Sequence, residues 1–145
     1  MKKSAQIEHM ISVVILIVAI LCSSCTNMQK KKSETYLRTA MQELRSDLPS
    51  TIDEVSTLIE VSMEGNNFVY TYYVNDYADG MVLLQAWDIN DTKNGILQYT
   101  RQSLYDEDFS KFVKALKKAE YNLVYRYISP YSGYSLDIVV YPWEL

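Results

Sequence analysis

Histidine is all but missing from this sequence: the only one, His9, lies in its first ten residues. Cysteine is limited to Cys22 and Cys25, and glycine to four positions. Each shortage removes a class of chemistry. Beyond residue 25 there is neither histidine nor cysteine. That part of the chain lacks the components of a Ser-His-Asp triad, a Cys-His pair or a zinc site of the usual Cys/His composition. Nor can it form an intradomain disulfide, whatever its compartment. The scattered glycines supply no phosphate-cradling loop. The longest apolar run covers only residues 10–22, whereas a membrane span needs roughly 20 apolar residues. Basic charge is in deficit, with 14 Lys and Arg against 18 Asp and Glu for a net −4, so nucleic acid is not an expected partner.

What is present begins with an address. Lys2 and Lys3 precede the apolar run, and small Ser23 and Ser24 follow it, the layout of a secretory signal. The end, Leu21-Cys22-Ser23-Ser24-Cys25, resembles a lipobox, in which a diacylglycerol joins the cysteine thiol before the signal is cut just ahead of it. Ser24 fits the small residue required there. Cys22 stands where the consensus prefers leucine, and cannot itself be modified because bulky Leu21 precedes it. Lys30, Lys31 and Lys32 would favour a cytoplasmic domain if the run stayed as an anchor, but its length argues for cleavage. The expected organisation is a signal over 1–24, lipidated Cys25 with a tether to residue 32, and one domain over 33–145. Two or three acyl chains would hold the protein to a membrane of the cell envelope. Thr26 lacks the aspartate linked to inner-membrane retention, which favours the outer membrane in a Gram-negative host.

Beyond the tether, Ser33 reads as the cap of a helix reaching about Asp47, with Tyr36, Leu37, Ala40, Met41, Leu44 and Leu48 at helical spacing ahead of Pro49. Residues 55–64 and 67–75 alternate as strands around Gly65-Asn66, a two-residue hairpin turn. That turn pairs Met63 with Phe68, Val61 with Tyr70, Ile59 with Tyr72 and Thr57 with Val74 on one face. Glu64 with Asn67, Ser62 with Val69, Glu60 with Thr71 and Leu58 with Tyr73 occupy the other. Residues 77–80 read as loop. Over 81–104, Ile89, Ile96 and Tyr99 suggest a helix that Gly95 weakens. Residues 106–120 form a clearer helix with Phe109, Phe112, Val113 and Leu116 in a stripe, acids first and lysines last. A second hairpin, 121–129 with 134–141, pairs Tyr127 with Leu136, Tyr125 with Ile138, Leu123 with Val140 and Arg126 with Asp137. The fold class is α+β: an antiparallel sheet of two β-hairpins with two or three helices on one face, in the order α-β-β-α-α-β-β.

Leu48-Pro49, Asp53, Thr57-Leu58, Val61, Gly65-Asn66 and the run Val69 to Val74 resemble a pattern in small bacterial envelope lipoproteins of unknown function. Tyr125-Arg126-Tyr127-Ile128 and the ending Pro142-Trp143-Glu144-Leu145 extend it. These are turn and strand residues, so the resemblance implies a shared fold and carries over no catalytic residue.

Candidate chemistry is thin. Asp106, Glu107 and Asp108 suit a helix start. Residues 88–99 imitate a calcium loop, but Lys93 takes the place of its turn glycine and Tyr99 that of its final glutamate. No metal or cofactor is expected. Thirteen tyrosines stand out; most read as core and sheet surface. Tyr73, Arg126, Tyr131, Tyr134 and Tyr141 form a candidate face for an envelope protein, peptide or glycan. The expected function is therefore a non-catalytic, membrane-anchored binding domain rather than an enzyme. The alternatives are an enzyme using carboxylate, tyrosine or lysine chemistry, and a self-associating lipoprotein whose outer sheet face, with Leu58, Val69, Val124 and Val139, packs on another subunit.

Overall fold

The computed structural model describes residues 26–77 and 83–145, so the expected export signal and Cys25 lie outside the described residues, as do residues 78–82. Among the described residues there are three helices and five strands, in the order α1 (26–46), β1 (Ser50–Thr51), β2 (Ser56–Glu64), β3 (Asn67–Val74), α2 (Ile89–Ser103), α3 (Glu107–Ala119), β4 (Asn122–Ile128) and β5 (Ser135–Val140). A single 3₁₀ turn, Leu84–Ala86, precedes α2. No helix among the described residues is long and apolar enough to cross a membrane.

The expected α+β architecture is present. The strands lie in one sheet in sequence order, both hairpins are antiparallel, and the added β1 pairs antiparallel with the edge of β2. The hairpins meet at a parallel seam, β3 beside β4. A parallel neighbour needs a long crossover, which α2 and α3 supply. All three helices contribute to packing on one face. Leu37 of α1 and Phe112, Val113 and Leu116 of α3 meet Val61, Phe68, Leu123 and Val140, while Leu84 and Ile96 meet Leu136 and Ile138.

Two local expectations are corrected. Residues 26–32 are helical rather than a tether, and Ser33 is a buried residue inside α1 rather than its cap. Straight-chain Gln29 and three lysines favour helix, and Lys30 is tied to Glu120 beyond α3 at 2.7 Å. In the first hairpin, Gly65 takes φ +59° with Asn66 on the negative side, the combination of a type II′ turn. The pairing from Glu64↔Asn67 to Glu60↔Thr71 is the expected one, but a bulge at Ile59 then shifts it, giving Leu58↔Tyr72, Thr57↔Tyr73 and Ser56↔Val74. Leu58 takes the inward place expected of Ile59 and is 7% exposed. The extra residue is absorbed at an end of β2 that β1 also holds, through Ser50↔Leu58, after a turn in which Asp53 Oδ1 accepts from the amides of Val55 and Ser56. A bulge lets β2 satisfy both neighbours by flipping its alternation once. The second hairpin has every expected pair, including Arg126↔Asp137.

Candidate binding cleft

Inward positions on β3 and β4 carry tyrosine where aliphatic residues would close a core. Parallel pairing sets Tyr70 beside Tyr125 and Tyr72 beside Tyr127. Their rings pack as a quartet, with centroids 5.8 Å apart for Tyr70 and Tyr125, 5.3 Å for Tyr72 and Tyr127, and 6.3 Å for Tyr72 and Tyr125. Above this floor lies a cleft of about 510 Å³, within the range of small-ligand sites. One wall is α2, which presents Asp91, Thr92, Gly95, Ile96 and Tyr99; Phe109 and Phe112 of α3 close another side, and Ile52, Asp53 and Ser56 the third.

Local sequence explains the walls. Asp88 caps α2 by accepting from the Asp91 amide at 2.9 Å, so the calcium-like stretch is a helix start. Asp106 caps α3 through the Phe109 amide at 2.8 Å. Spacings of three and four residues then align Thr92, Gly95, Ile96 and Tyr99 on one flank of α2. A Cβ on Gly95 would meet nothing within 4 Å, so this glycine serves no close packing and leaves the wall open. A second depression of about 340 Å³, between α1 and α3, shares Tyr70, Phe109 and Phe112 with the cleft.

Burial governs the electrostatics. It pushes the Tyr127 hydroxyl up to about 12 and those of Tyr70, Tyr72 and Tyr125 further above their ordinary value. The phenols therefore stay neutral in the physiological range. At the rim, Asp53 is occupied by its own turn amides. Among the described residues no cluster of histidine, cysteine, aspartate or glutamate could hold a metal ion. Apolar walls with polar phenol tips can grip side chains through contact area and stacking.

The candidate face drawn from sequence is distributed differently. Tyr73 and Arg126 lie on the sheet surface opposite the helices. There the Arg126 guanidinium reaches Glu64 and Asp137, each at 3.0 Å. Tyr131 stacks on Tyr77 beside the β4–β5 loop, Tyr134 follows that loop, and Tyr141 stacks on Trp143 near the chain's end. None of the five lines the cleft. The outer face offered for self-association is also altered: Leu58 has turned inward, and Val69 and Val124 are 1% and 3% exposed within the single chain. The missed signal was phase. Tyr70, Tyr72, Tyr125 and Tyr127 all fall on inward positions of the expected registers.

A five-stranded sheet with helices packed on it defines a small α+β domain, and this fold has a known structural likeness. Three solved structures superpose on it. The type II secretion system pilotin AspS of Vibrio cholerae superposes with a TM-score of 0.56 at 9% identity, covering 81% of this chain and 96% of that one. The pilotin EpsS of the Vibrio vulnificus type 2 secretion system gives 0.57 at 12%, with the same coverage. A protein of Pseudomonas aeruginosa described as secreted gives 0.56 at 11%, covering 80% and 95%. At these identities the likeness is one of fold. No protein-family model matches the chain, and no curated protein matches it in sequence.

Proposed function

We propose that this chain is a lipid-anchored, non-catalytic binding domain of the bacterial envelope, held through Cys25, which captures a segment of an envelope protein in the tyrosine-walled cleft. The observation that carries the reading is the cleft itself. Its volume is about 510 Å³ and its floor is a quartet of neutral tyrosines. The pilotin fold of the neighbours supports a protein partner, and the export signal supports the compartment, with the outer membrane favoured in a Gram-negative host. The occupant would present apolar or aromatic side chains, since most of the lining is aromatic or aliphatic.

Gly95 provides a clean test because a side chain added there enters open space rather than the core. A photo-crosslinking amino acid at Tyr99, 66% exposed on the rim, should give one dominant adduct in living cells, mapped to a short segment of an envelope protein. A synthetic peptide of that segment should bind the purified protein saturably. Gly95→Phe should abolish both signals while circular dichroism stays unchanged. Adduct formation or peptide binding that survives Gly95→Phe would overturn the cleft as the site.

A further inference from the structure

The chain is acidic overall, yet its lysines are gathered on one side. Of the eight lysines beyond residue 25, seven lie on α1 and α3 or between them, and only Lys93 lies elsewhere. Lys32 of α1 faces Lys111, Lys114 and Lys118 of α3 across a groove of about 330 Å³ that also exposes Tyr36. Some of this charge is spent: Lys30 pairs with Glu120, and Lys111 with Glu107 and Asp108. Lys32, Lys114 and Lys118 make no ion pair among the described residues. Carboxylates such as Glu64 and Asp137 lie on the sheet and are matched there by Arg126.

We infer that this groove docks anionic phospholipid headgroups and sets the domain's orientation on the membrane that carries it. Position and charge select this partner. The helix that holds Lys32 runs unbroken from residue 26, so six residues at the α-helical rise place the groove within about 10 Å of the start of the described chain. A lipid on Cys25 would therefore bring these lysines to the headgroup layer, with the Tyr36 ring at the depth where aromatic residues favour the interface. Three unpaired lysines are few for a nucleic-acid backbone, where affinity is built from many phosphate contacts. A lysine beside an anionic leaflet strengthens association by about fivefold per charge, so three give on the order of a hundredfold.

The siting, though not the charge, rests on the reading of Cys25. The test uses the whole protein purified from membranes and placed in vesicles of phosphatidylcholine alone, or with one third phosphatidylglycerol. Lysines are acylated with a water-soluble reagent and the digest is read by mass spectrometry. Lys32, Lys114 and Lys118 should react severalfold more slowly in anionic vesicles. The protection should vanish in high salt, while Lys93 reacts equally in both. Neighbouring Lys31 and Lys117 should be protected with them in the parent protein and lose that protection in the triple variant Lys32→Gln, Lys114→Gln, Lys118→Gln. Equal labelling in both vesicle types would overturn the inference, as would the same protection given by inorganic phosphate with neutral vesicles. The same digest reports the mass on Cys25. Protected lysines with an unmodified Cys25 would leave the groove standing and remove the anchor, and the converse would remove the groove alone.

Discussion

Alkali should unfold this protein through its cleft floor. Tyr70, Tyr72, Tyr125 and Tyr127 are held neutral by burial, with Tyr127 pushed up to about 12 and the others higher. Below pH ~10 both folded and unfolded chains keep these phenols protonated, and they add nothing to the pH dependence. Above it the unfolded chain releases protons that the folded chain retains, so stability falls as pH rises. At pH ~11 the loss is about 1.4 kcal/mol for each phenol. Four together give about 5–6 kcal/mol, comparable with the whole stability of a small domain. Unfolding should therefore set in between about pH 11 and 12. Absorbance at the tyrosinate band, followed alongside far-ultraviolet circular dichroism, should show four of the 13 phenols withheld until the helical signal collapses. Tyr72→Phe removes one titrating group and should move the alkaline midpoint up by about 0.4 pH unit. Ionisation of all thirteen near the ordinary tyrosine value, with the fold intact, would refute the buried quartet.

Other perturbations test separate parts of the structure. Arg126→Met leaves Glu64 and Asp137 without their shared cation and should cost about 1 kcal/mol in urea denaturation at neutral pH. The hydrogen-bonded Arg126 holds the Glu64 carboxyl below its ordinary value, so that contribution is present above the carboxylate range and lost as pH falls, and the difference between variant and parent should shrink in acid. Asp76 is buried, accepting from the Leu84 amide at 3.0 Å and the Ser129 hydroxyl at 2.7 Å, which hold its carboxyl low. Asp76→Asn should lower the thermal midpoint at neutral pH and flatten its dependence on acid. Gly95→Ala should add about 0.5–1 kcal/mol through helix propensity without closing the cleft. Cys25→Ser should abolish metabolic lipid labelling while circular dichroism of the folded domain is unchanged; persistent labelling would place the lipid elsewhere.

Elements whose register is set locally were legible in the sequence. Gly65-Asn66 and the four residues 130–133 each fix a hairpin from its turn, and the pairs adjoining those turns are found as read. The bulge was not legible, because Leu58 and Ile59 are equally apolar and the choice between them is made by β1, a two-residue strand with no signal of its own. The start of α1 was missed for a related reason. Residues 26–32 show no amphipathic period, and the ion pair that Lys30 makes is with Glu120, 90 residues away. Tyr73, Arg126, Tyr131, Tyr134 and Tyr141 stand apart from the cleft; the tyrosines that line it have an inward phase, which in a sequence reads as core.

That inversion follows from the parallel seam. Antiparallel hairpins close on themselves, but joining two of them side by side in parallel forces the chain to climb over the sheet and return, and α2 and α3 are that climb. Helices recruited as a crossover must span the seam, and their spacing need not match the sheet below as tightly as a dedicated core layer would. Where they fit closely, Phe68, Leu116 and Leu123 are fully buried. Further along the same two strands, at positions 70 and 72 of β3 and 125 and 127 of β4, the sequence places tyrosine, whose ring covers the sheet and whose hydroxyl tolerates a partly wet cavity. Leucine at these four positions would present apolar surface to solvent with no polar tip. A cleft at the seam is therefore a consequence of the topology, and the tyrosines are the residues that let the chain keep it open.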